Sequence, residues 1–445
     1  MEFINTSSNN DKPNEIDNKT SNKTSNKTSN KTNNKTSSKI KDKSIDVSYP
    51  YNYLDSTSSD NIIRNLFNNI VDANKYVSAK KQGKCFNYVL QKINLISQIP
   101  TAEVYDKHFF PEHIFNYIQD NSLYYLHFHC KIKNRNVNVY FTLFEELDKN
   151  LVFLLSKYIH MVYMWVYILD IYSNSDCSKD LTLYVYFTPF EKLLPNNQLT
   201  VFDSEHVNSG YTSGCKKTTE IVLYRKEEWF KVFIHECFHT YGLDFSTSKF
   251  DFFKDKLSGL FPIESDFCIY ESYTETWARI INCAFSSFNA LKNKKDKETF
   301  LLNVNFCLEL ERMFTIYQCI KILGFMGLNY NDLYDKNMNA NVLRKNLYRE
   351  NTHVFAYFVM TAIFLNDYTS FMVWCKEHNE NLLKFNPSPN NFESFMKYIE
   401  EKYDCISLLS NITEMKKISK TINRTKQNNN QDIIDTTRMS IIHTI

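Results

Sequence analysis

The chain is organised around the stretch Trp229-Phe230-Lys231-Val232-Phe233-Ile234-His235-Glu236-Cys237-Phe238-His239-Thr240-Tyr241-Gly242, which contains the pattern His-Glu-x-x-His. On an α-helix, His235 and His239 are four residues apart, so their imidazoles project from one face and can bind one metal ion. Glu236 lies about 100° further round the helix, where its carboxylate can contact a water molecule on that metal without binding the metal. The stretch therefore predicts a helix that carries a metal site.

The opposite side of this predicted helix is apolar. Gly242 follows the last apolar residue, at a place where many helices end in a left-handed residue. Apolar residues at helical spacing predict that this side faces a core. They are Phe230, Phe233, Ile234, Cys237 and Tyr241.

The composition is that of a chain that can bury a sizeable core. Hydrophobic residues make up 43% and aromatic residues 15% of its 445 residues, which allows either several domains or one large domain in two lobes. The formal net charge is only +2. A balance so close to neutral argues against a dedicated nucleic-acid-binding protein, and we expect no nucleic-acid partner.

The cysteine pattern and the N-terminus predict an intracellular, cytoplasmic protein that is not secreted. The eleven cysteines include no Cys-x-x-Cys pair, a pattern that favours reduced thiols over a disulfide framework. The first residues, Met1 to Asn5, lack the basic start and apolar run of a signal peptide. Cys215 could act as a cysteine switch on a metal, but an ordinary loop thiol is the favoured interpretation.

Changes in composition divide the chain into four predicted segments. Residues 1–46 form a low-complexity tail with Ser-Asn-Lys-Thr repeats, for which we predict disorder. Residues 47–245 form an N-terminal α+β lobe, and residues 246–415 a mostly helical C-terminal lobe. Residues 416–445 form a polar tail, in which Met439 to Ile442 either docks as a short strand or stays loose.

Within the N-terminal lobe, residues 47–120 read mainly as helices. Leu123 to Ile132 and Val137 to Leu143 then predict a β-hairpin, because apolar residues alternate on both sides of a polar turn. His127 and His129 alternate on one face of the first strand. A metal role for this pair is one interpretation, and a half-buried polar strand face is the favoured one.

The following segments lead towards the metal-binding helix. Glu146 to Tyr172 predicts a buried helix, because Lys157 and Asp170 leave no clean apolar run long enough to span a membrane. Leu181 to Thr188 and Glu220 to Arg225 predict strands. We interpret the second of these as an exposed edge strand, to which an extended peptide could add; the alternative is that another strand covers this edge.

Beyond the metal helix, apolar residues at helical spacing predict three long helices. Gly324 and Gly327 are expected to end the first of them. The three predicted ranges are 300–323, 354–365 and 392–409.

A hydrolytic zinc site needs a third protein ligand and an open position for water. The metzincin pattern would place this ligand at residue 245, but Phe245 cannot bind a metal. The favoured candidate is Glu271 on a predicted helix, with Glu275 one turn later accepting a hydrogen bond from a ligating imidazole. Glu264 and Asp266 are rival ligands just before that helix. The alternative is that Glu271 and Glu275 only form a solvated helix face.

Residues 220–282 resemble those of the gluzincins, the thermolysin-like zinc peptidases. The resemblance rests on His235-Glu236-Cys237-Phe238-His239 followed by Glu271-x-x-x-Glu275. In that family the last position is usually Asp, so Glu275 departs from the pattern by one methylene. The same stretch and the composition are also similar to those of predicted metallopeptidases of large DNA viruses.

The resemblance implies a zincin-like two-lobe metallopeptidase fold and zinc-dependent hydrolysis of a peptide or protein substrate. Zn²⁺ would be bound by His235, His239 and Glu271, and Glu236 would be the general base on a zinc-bound water. The resemblance also implies a Tyr or His donor from the C-terminal lobe for the developing oxyanion, for which His353 and Tyr357 are candidates. The alternative is that Tyr357 belongs to the core and His353 to a helix N-terminus.

Two other functions stay open at this stage. One is a catalytically inactive zincin-like protein that binds other proteins through the same groove. The other is a structural, virion-associated protein in which the His-Glu-x-x-His pattern has no metal.

Overall fold

The computed structural model describes residues 53–81, 86–103, 108–174, 176–248, 251–424 and 431–443. The predicted low-complexity tail, residues 1–46, lies outside this part of the chain. The helices are α1 (Tyr53–Lys81), α2 (Glu112–Asn121), α3 (Lys149–Tyr172), α4 (Ser204–Val207), α5 (Trp229–Thr240), α6 (Asp251–Leu260), α7 (Ile269–Ala290), α8 (Lys297–Phe325), α9 (Met338–Leu347), α10 (Thr361–Asn366), α11 (Tyr368–His378), α12 (Pro389–Lys402), α13 (Ile406–Arg424) and α14 (Gln431–Asp435). The strands are β1 (Tyr88–Lys92), β2 (Tyr124–Ile132), β3 (Arg135–Leu143), β4 (Asp180–Tyr186), β5 (Gly210–Thr212) and β6 (Thr218–Leu223).

One mixed sheet organises the N-terminal half. Its strand order is β1-β2-β3-β4-β6-β5. The pairs β1–β2, β2–β3 and β5–β6 are antiparallel, whereas β3–β4 and β4–β6 are parallel. The hairpin predicted from residues 123–143 is confirmed as β2 and β3. With the mostly helical second half of the chain, this sheet confirms the predicted α+β class.

The two faces of the sheet are covered differently. On the inner face, Leu183 and Leu223 are fully buried in the main core with α3, α5 and α7. On the outer face, Tyr186 and Val222 belong to a smaller core that contains Ile118 of α2. Because side chains alternate along a strand, β4 and β6 contribute to both cores.

The edge of the sheet differs from the prediction. The strand predicted from Glu220 to Arg225 is β6, but it lies inside the sheet, because β5 pairs with it from Gly210 to Thr212. The prediction that β6 is the exposed edge is therefore wrong, and β5 is the edge strand. A three-residue strand that contains a glycine gives too little alternation to be recognised from sequence.

The segment before the hairpin is less helical than predicted. The apolar residues around Tyr88 belong to strand β1, which pairs with β2 in the register Tyr88 to Phe128. His127 and His129 lie on β2. The Asn138 Oδ1 atom lies 3.2 Å from His127 Nε2 and 2.9 Å from His129 Nδ1. The two histidines therefore form a polar strand face, as favoured, and not part of a metal cluster among the described residues.

Helix α3 is long and apolar enough to cross a membrane by length and composition alone. Eleven of its residues are buried in the fold, including Trp165 and Leu169. It also packs against α1 in the main core. The helix is thus present where the sequence predicted it, and much of its apolar surface is covered by protein.

The helices of the second half follow the predictions with two exceptions. Helix α8 contains the predicted range 300–323 and ends before Gly327, which has a φ of 82°. The range 354–365 begins with a π-helical turn, Phe355–Met360, that leads into α10. The predicted single helix 392–409 is wrong, because α12 and α13 are separated by a turn at residues 403–405. No glycine or proline marks this turn.

The cysteines do not all remain thiols. Cys177 and Cys215 form a disulfide with a Cα–Cα distance of 5.0 Å, and Cys130 is also disulfide-bonded. The predictions of reduced cysteines, and of a free thiol at Cys215, are therefore wrong. Disulfides persist mainly in oxidising compartments, so the cysteine argument for the cytosol no longer holds and the location stays a prediction.

Residues 51–445 form one compact unit. The boundary at residue 245 and the zincin-like arrangement of two lobes stay predictions. The predicted polar tail from residue 416 contains the second half of α13, and residues 436–443 lie against the core.

Candidate metal centre

Helix α5 carries the two histidines into the interior. It follows β6 after the short segment 224–228, and almost all of its residues are buried. Glu228 precedes the helix with a φ of 55°, a left-handed conformation that is costly for a residue with a Cβ. The Glu228 carboxylate is held by Lys192 at 2.5 Å. At the other end, Gly242 has a φ of 62° and stops the helix, as predicted.

Helix α7 brings Glu271 to the same point in space. The Glu271 Oε2 atom lies 3.1 Å from His235 Nε2 and 3.6 Å from His239 Nε2. The two Nε2 atoms are 3.3 Å apart. These three side chains form a group that could hold a metal ion. Of the candidates predicted from sequence, Glu271 is thus the one that joins the histidines.

The rival ligands do not take part. Glu264 and Asp266 are exposed on the segment before α7, and neither belongs to the metal-binding group found among the described residues. The interpretation of Glu271 and Glu275 as a solvated face is also wrong, because Glu271 is 7% exposed and Glu275 is fully buried.

Glu275 fixes the orientation of the first imidazole. Its Oε2 atom accepts a hydrogen bond from His235 Nδ1 at 3.1 Å. The other side of the carboxylate contacts two cations, Lys231 Nζ at 2.9 Å and Arg279 Nε at 2.8 Å. The longer Glu side chain therefore reaches His235 as the predicted role requires. Lys231 and Arg279 hold the carboxylate in place and compensate its charge, because Glu275 is fully buried.

Asp244, which the sequence patterns did not predict, does the same for the second imidazole. His239 Nδ1 donates to Asp244 Oδ2 at 2.5 Å, and Ser246 Oγ donates to Asp244 Oδ1 at 2.9 Å. With both Nδ1–H groups bound to carboxylates, the Nε2 lone pairs of His235 and His239 face Glu271. The only signal in the sequence was an acidic residue just after the helix-ending glycine.

Tyr357 and His353 reach the site from the turn before α10. The Tyr357 hydroxyl donates to Glu271 Oε2 at 3.1 Å, and its ring centroid lies 6.0 Å from that of His235. The His353 ring lies 6.0 Å from the Tyr357 ring. Both residues line the cleft described below. The structure thus brings these two candidates together with the metal-binding group.

Glu236 faces the same cleft. It is 7% exposed, and no hydrogen bond to its carboxylate is found among the described residues. Burial raises the pKa of the Glu236 carboxyl, and the neighbouring histidines partly offset this effect. A buried carboxylate with a raised pKa and no fixed partner is suited to accepting and returning a proton.

Burial and the mutual contacts act in opposite directions on the pKa values of the three donor side chains. Burial disfavours the charged forms of both imidazoles, but the carboxylates around them raise the pKa of His235 and hold that of His239 well above its ordinary value. Burial likewise opposes ionisation of Glu271, yet the two histidines lower the pKa of its carboxyl well below the usual range. The contacts between these side chains thus offset the effect of their burial.

A cleft with a volume of about 380 Å³ opens onto the donor atoms. The edge strand forms one wall with Gly210, Tyr211 and Thr212, and the loop residues Ser213 and Gly214 continue it. The outer edge of β5 therefore lies beside the metal-binding group.

Residues 436–443 pack behind the centre. The backbone N–H groups of Met439 and Ser440 donate to the Glu228 carboxylate at the start of α5. Glu311 of α8 accepts from the Ile441 and Ile442 backbone at 3.0 and 2.9 Å. Of the two alternatives left open for residues 439–442, a docked strand or a loose tail, neither is found as stated: the segment docks, but not as a strand.

Comparisons with family models, with curated proteins and with solved structures found no match to this chain.

Proposed function

We propose that this protein is a zinc-dependent peptidase whose zinc ion is bound by His235, His239 and Glu271. The observation that carries the proposal is the convergence of these three donor atoms with Glu236 at one peptide-sized cleft. The His-His-Glu donor set, with an open position, is one of the established ligand sets of catalytic zinc.

The separations of the donor atoms suit zinc. Ligands about 2.0–2.1 Å from a tetrahedral zinc ion lie about 3.3 Å from one another. The separations between the three donors are 3.1, 3.3 and 3.6 Å. Glu275 and Asp244 support the same conclusion, because each holds an Nδ1–H and leaves a lone pair on Nε2.

Zinc, when bound, would polarise the scissile carbonyl and make a water molecule more acidic. Glu236 would accept the proton from the attacking water and donate it to the leaving nitrogen, a role that its carboxylate permits because it has no hydrogen-bond partner among the described residues. The Tyr357 hydroxyl and the His353 imidazole line the cleft as donors to the negative charge that develops on the carbonyl oxygen. Before this charge develops, the Tyr357 hydroxyl donates its hydrogen bond to Glu271 and orients that carboxylate.

The edge strand supports a peptide as the substrate. Tyr224 N–H donates to Ser209 O at 3.0 Å, and Tyr211 is opposite Val222 in the same ladder. In an antiparallel pair, alternate residues direct their backbone groups away from the partner. The backbone groups of Gly210 and Thr212 therefore point towards the cleft, where an extended peptide can pair with them.

Peptide cleavage by the full-length, zinc-loaded protein tests the proposal. A broad peptide library is incubated with the wild type and with Glu236→Gln, and products are identified by mass spectrometry. We expect cleavage by the wild type and a rate about 10²- to 10⁴-fold lower for the variant. If the wild type holds zinc but cleaves nothing, the inactive protein-binding alternative replaces the peptidase. If Glu236→Gln is as active as the wild type, the assigned role of Glu236 as the general base is wrong.

A further inference from the structure

A second cavity lies on the outer face of the sheet, beside the edge strand. Its volume is about 400 Å³. Ile99 and Ile118 form one wall, and Tyr186 and Val222 of the sheet form the other. The lining contains no charged side chain among the described residues. We refer to this space as the outer cavity.

The outer cavity adjoins the metal-bearing cleft. Ala102, Tyr211 and Val222 line both spaces. Tyr211 lies on the edge strand itself, opposite Val222 and on the same sheet face. The two spaces therefore meet around β5, with the metal ligands on the inner side and the outer cavity on the other.

Side chains alternate along a strand, and this alternation decides which side chains of a peptide at the edge face the outer cavity. A peptide that pairs with β5 places successive side chains on opposite faces of the sheet. The side chain opposite Tyr211 must lie on the outer face, because directly opposed residues share a face. On that face Tyr211 lines the outer cavity, which is an apolar space, whereas the neighbouring peptide positions would face the metal side.

We propose that the outer cavity is a specificity pocket that takes one large apolar side chain, aromatic or branched aliphatic, of an extended peptide substrate. This proposal rests on the proposed peptidase function and names the class of substrate. Burying a side chain of this size is worth about a 10- to 100-fold preference over alanine at one position of the peptide. Charged side chains at that position are disfavoured, because the described lining offers them no partner.

Paired peptides that differ only at this position test the proposal. The library identifies the position, and kcat/KM is then compared for Phe, Ala and Asp peptides. Ser97 is exposed and lines the outer cavity, and Gln119 lines it from α2. We expect Ser97→Trp and Gln119→Trp to fill the cavity and to reduce the Phe-to-Ala ratio to nearly 1. Leu95→Trp is the matched control, since Leu95 is 64% exposed nearby and does not line the cavity.

A binding assay separates this proposal from the peptidase function. The affinity of zinc-loaded Glu236→Gln protein for the same peptides is measured by fluorescence anisotropy, which requires no turnover. A Phe preference in binding that both filling variants abolish supports the pocket, even if the wild type proves inactive. Equal affinity for Phe, Ala and Asp peptides, or a Phe preference unchanged in both folded filling variants, overturns it.

Discussion

Replacing Asp244 with Asn tests the support of the second histidine. The Asp244 carboxylate accepts a hydrogen bond of 2.5 Å from His239 Nδ1, and Asp244 is only 9% exposed. Asn keeps the shape and one acceptor oxygen but loses the negative charge. We therefore expect the imidazole to keep its place approximately while its Nε2 becomes a weaker and less firmly oriented ligand.

The size of the effect follows from this contact. Hydrogen bonds to ionised groups are about twice as strong as those between neutral groups. Carboxylates that orient a metal-ligating histidine typically contribute 10- to 100-fold to metal affinity. A loss in this range corresponds to about 1.4–2.7 kcal/mol of zinc-binding free energy.

Zinc affinity is measured by competition with a chromophoric chelator at fixed pH. Thermal unfolding of the metal-free proteins shows whether the variant is folded. Asp72→Asn is the control, because Asp72 is an exposed partner in a surface ion pair and should leave the affinity unchanged. If folded Asp244→Asn binds zinc as tightly as the wild type, the assigned role of Asp244 is wrong.

Three further predictions concern the surroundings of the site. Lys231→Met breaks the buried contact with Glu275, and we expect a loss of about 3–5 kcal/mol in the free energy of unfolding by urea. A loss below about 1 kcal/mol would contradict the buried pairing. Cys177→Ser removes the disulfide to Cys215 and should lower the free energy of unfolding by about 2–4 kcal/mol in the same assay under oxidising conditions. If the variant is as stable as the wild type, the bridge is not formed. Burial raises the pKa of the Glu350 carboxyl from 4.5 to about 7. The protonated carboxyl therefore contributes fully to the free energy of unfolding below pH 4.5, and this contribution is lost as the pH rises through 7. The free energy of unfolding of Glu350→Gln should therefore rise relative to that of the wild type between pH 5 and 8. A difference between the two proteins that stays constant over this range would refute the prediction.

The sequence predicted the elements that carry regular spacing. Two residues four apart lie on the same face of a helix wherever the helix occurs in a chain, so the spacing of His235 and His239 was enough to predict a shared metal. The requirement of such a site for a third ligand then pointed to Glu271, with Glu275 one turn later. The hairpin β2–β3 was predicted for the same reason, because alternation over nine residues in each strand is difficult to mistake.

What the sequence did not predict depends on contacts between distant or irregular segments. Asp244 follows a left-handed glycine, so its direction depends on a turn and not on a periodic pattern. The Cys177–Cys215 bridge joins residues 38 positions apart, and spacing alone does not identify such a pair. The contact of Lys231 with Glu275 joins α5 to α7, and no spacing in the sequence indicates it.

The metal content of the purified protein tests the central claim most directly. Zinc is counted per chain by inductively coupled plasma mass spectrometry for the wild type, for Glu271→Gln, and for Glu264→Gln as the exposed control on the segment before α7. We predict one zinc ion per chain in the wild type and in Glu264→Gln, and a marked loss in Glu271→Gln. A wild type without stoichiometric zinc, or a Glu271→Gln variant with unchanged zinc content, would contradict the three-ligand metal centre.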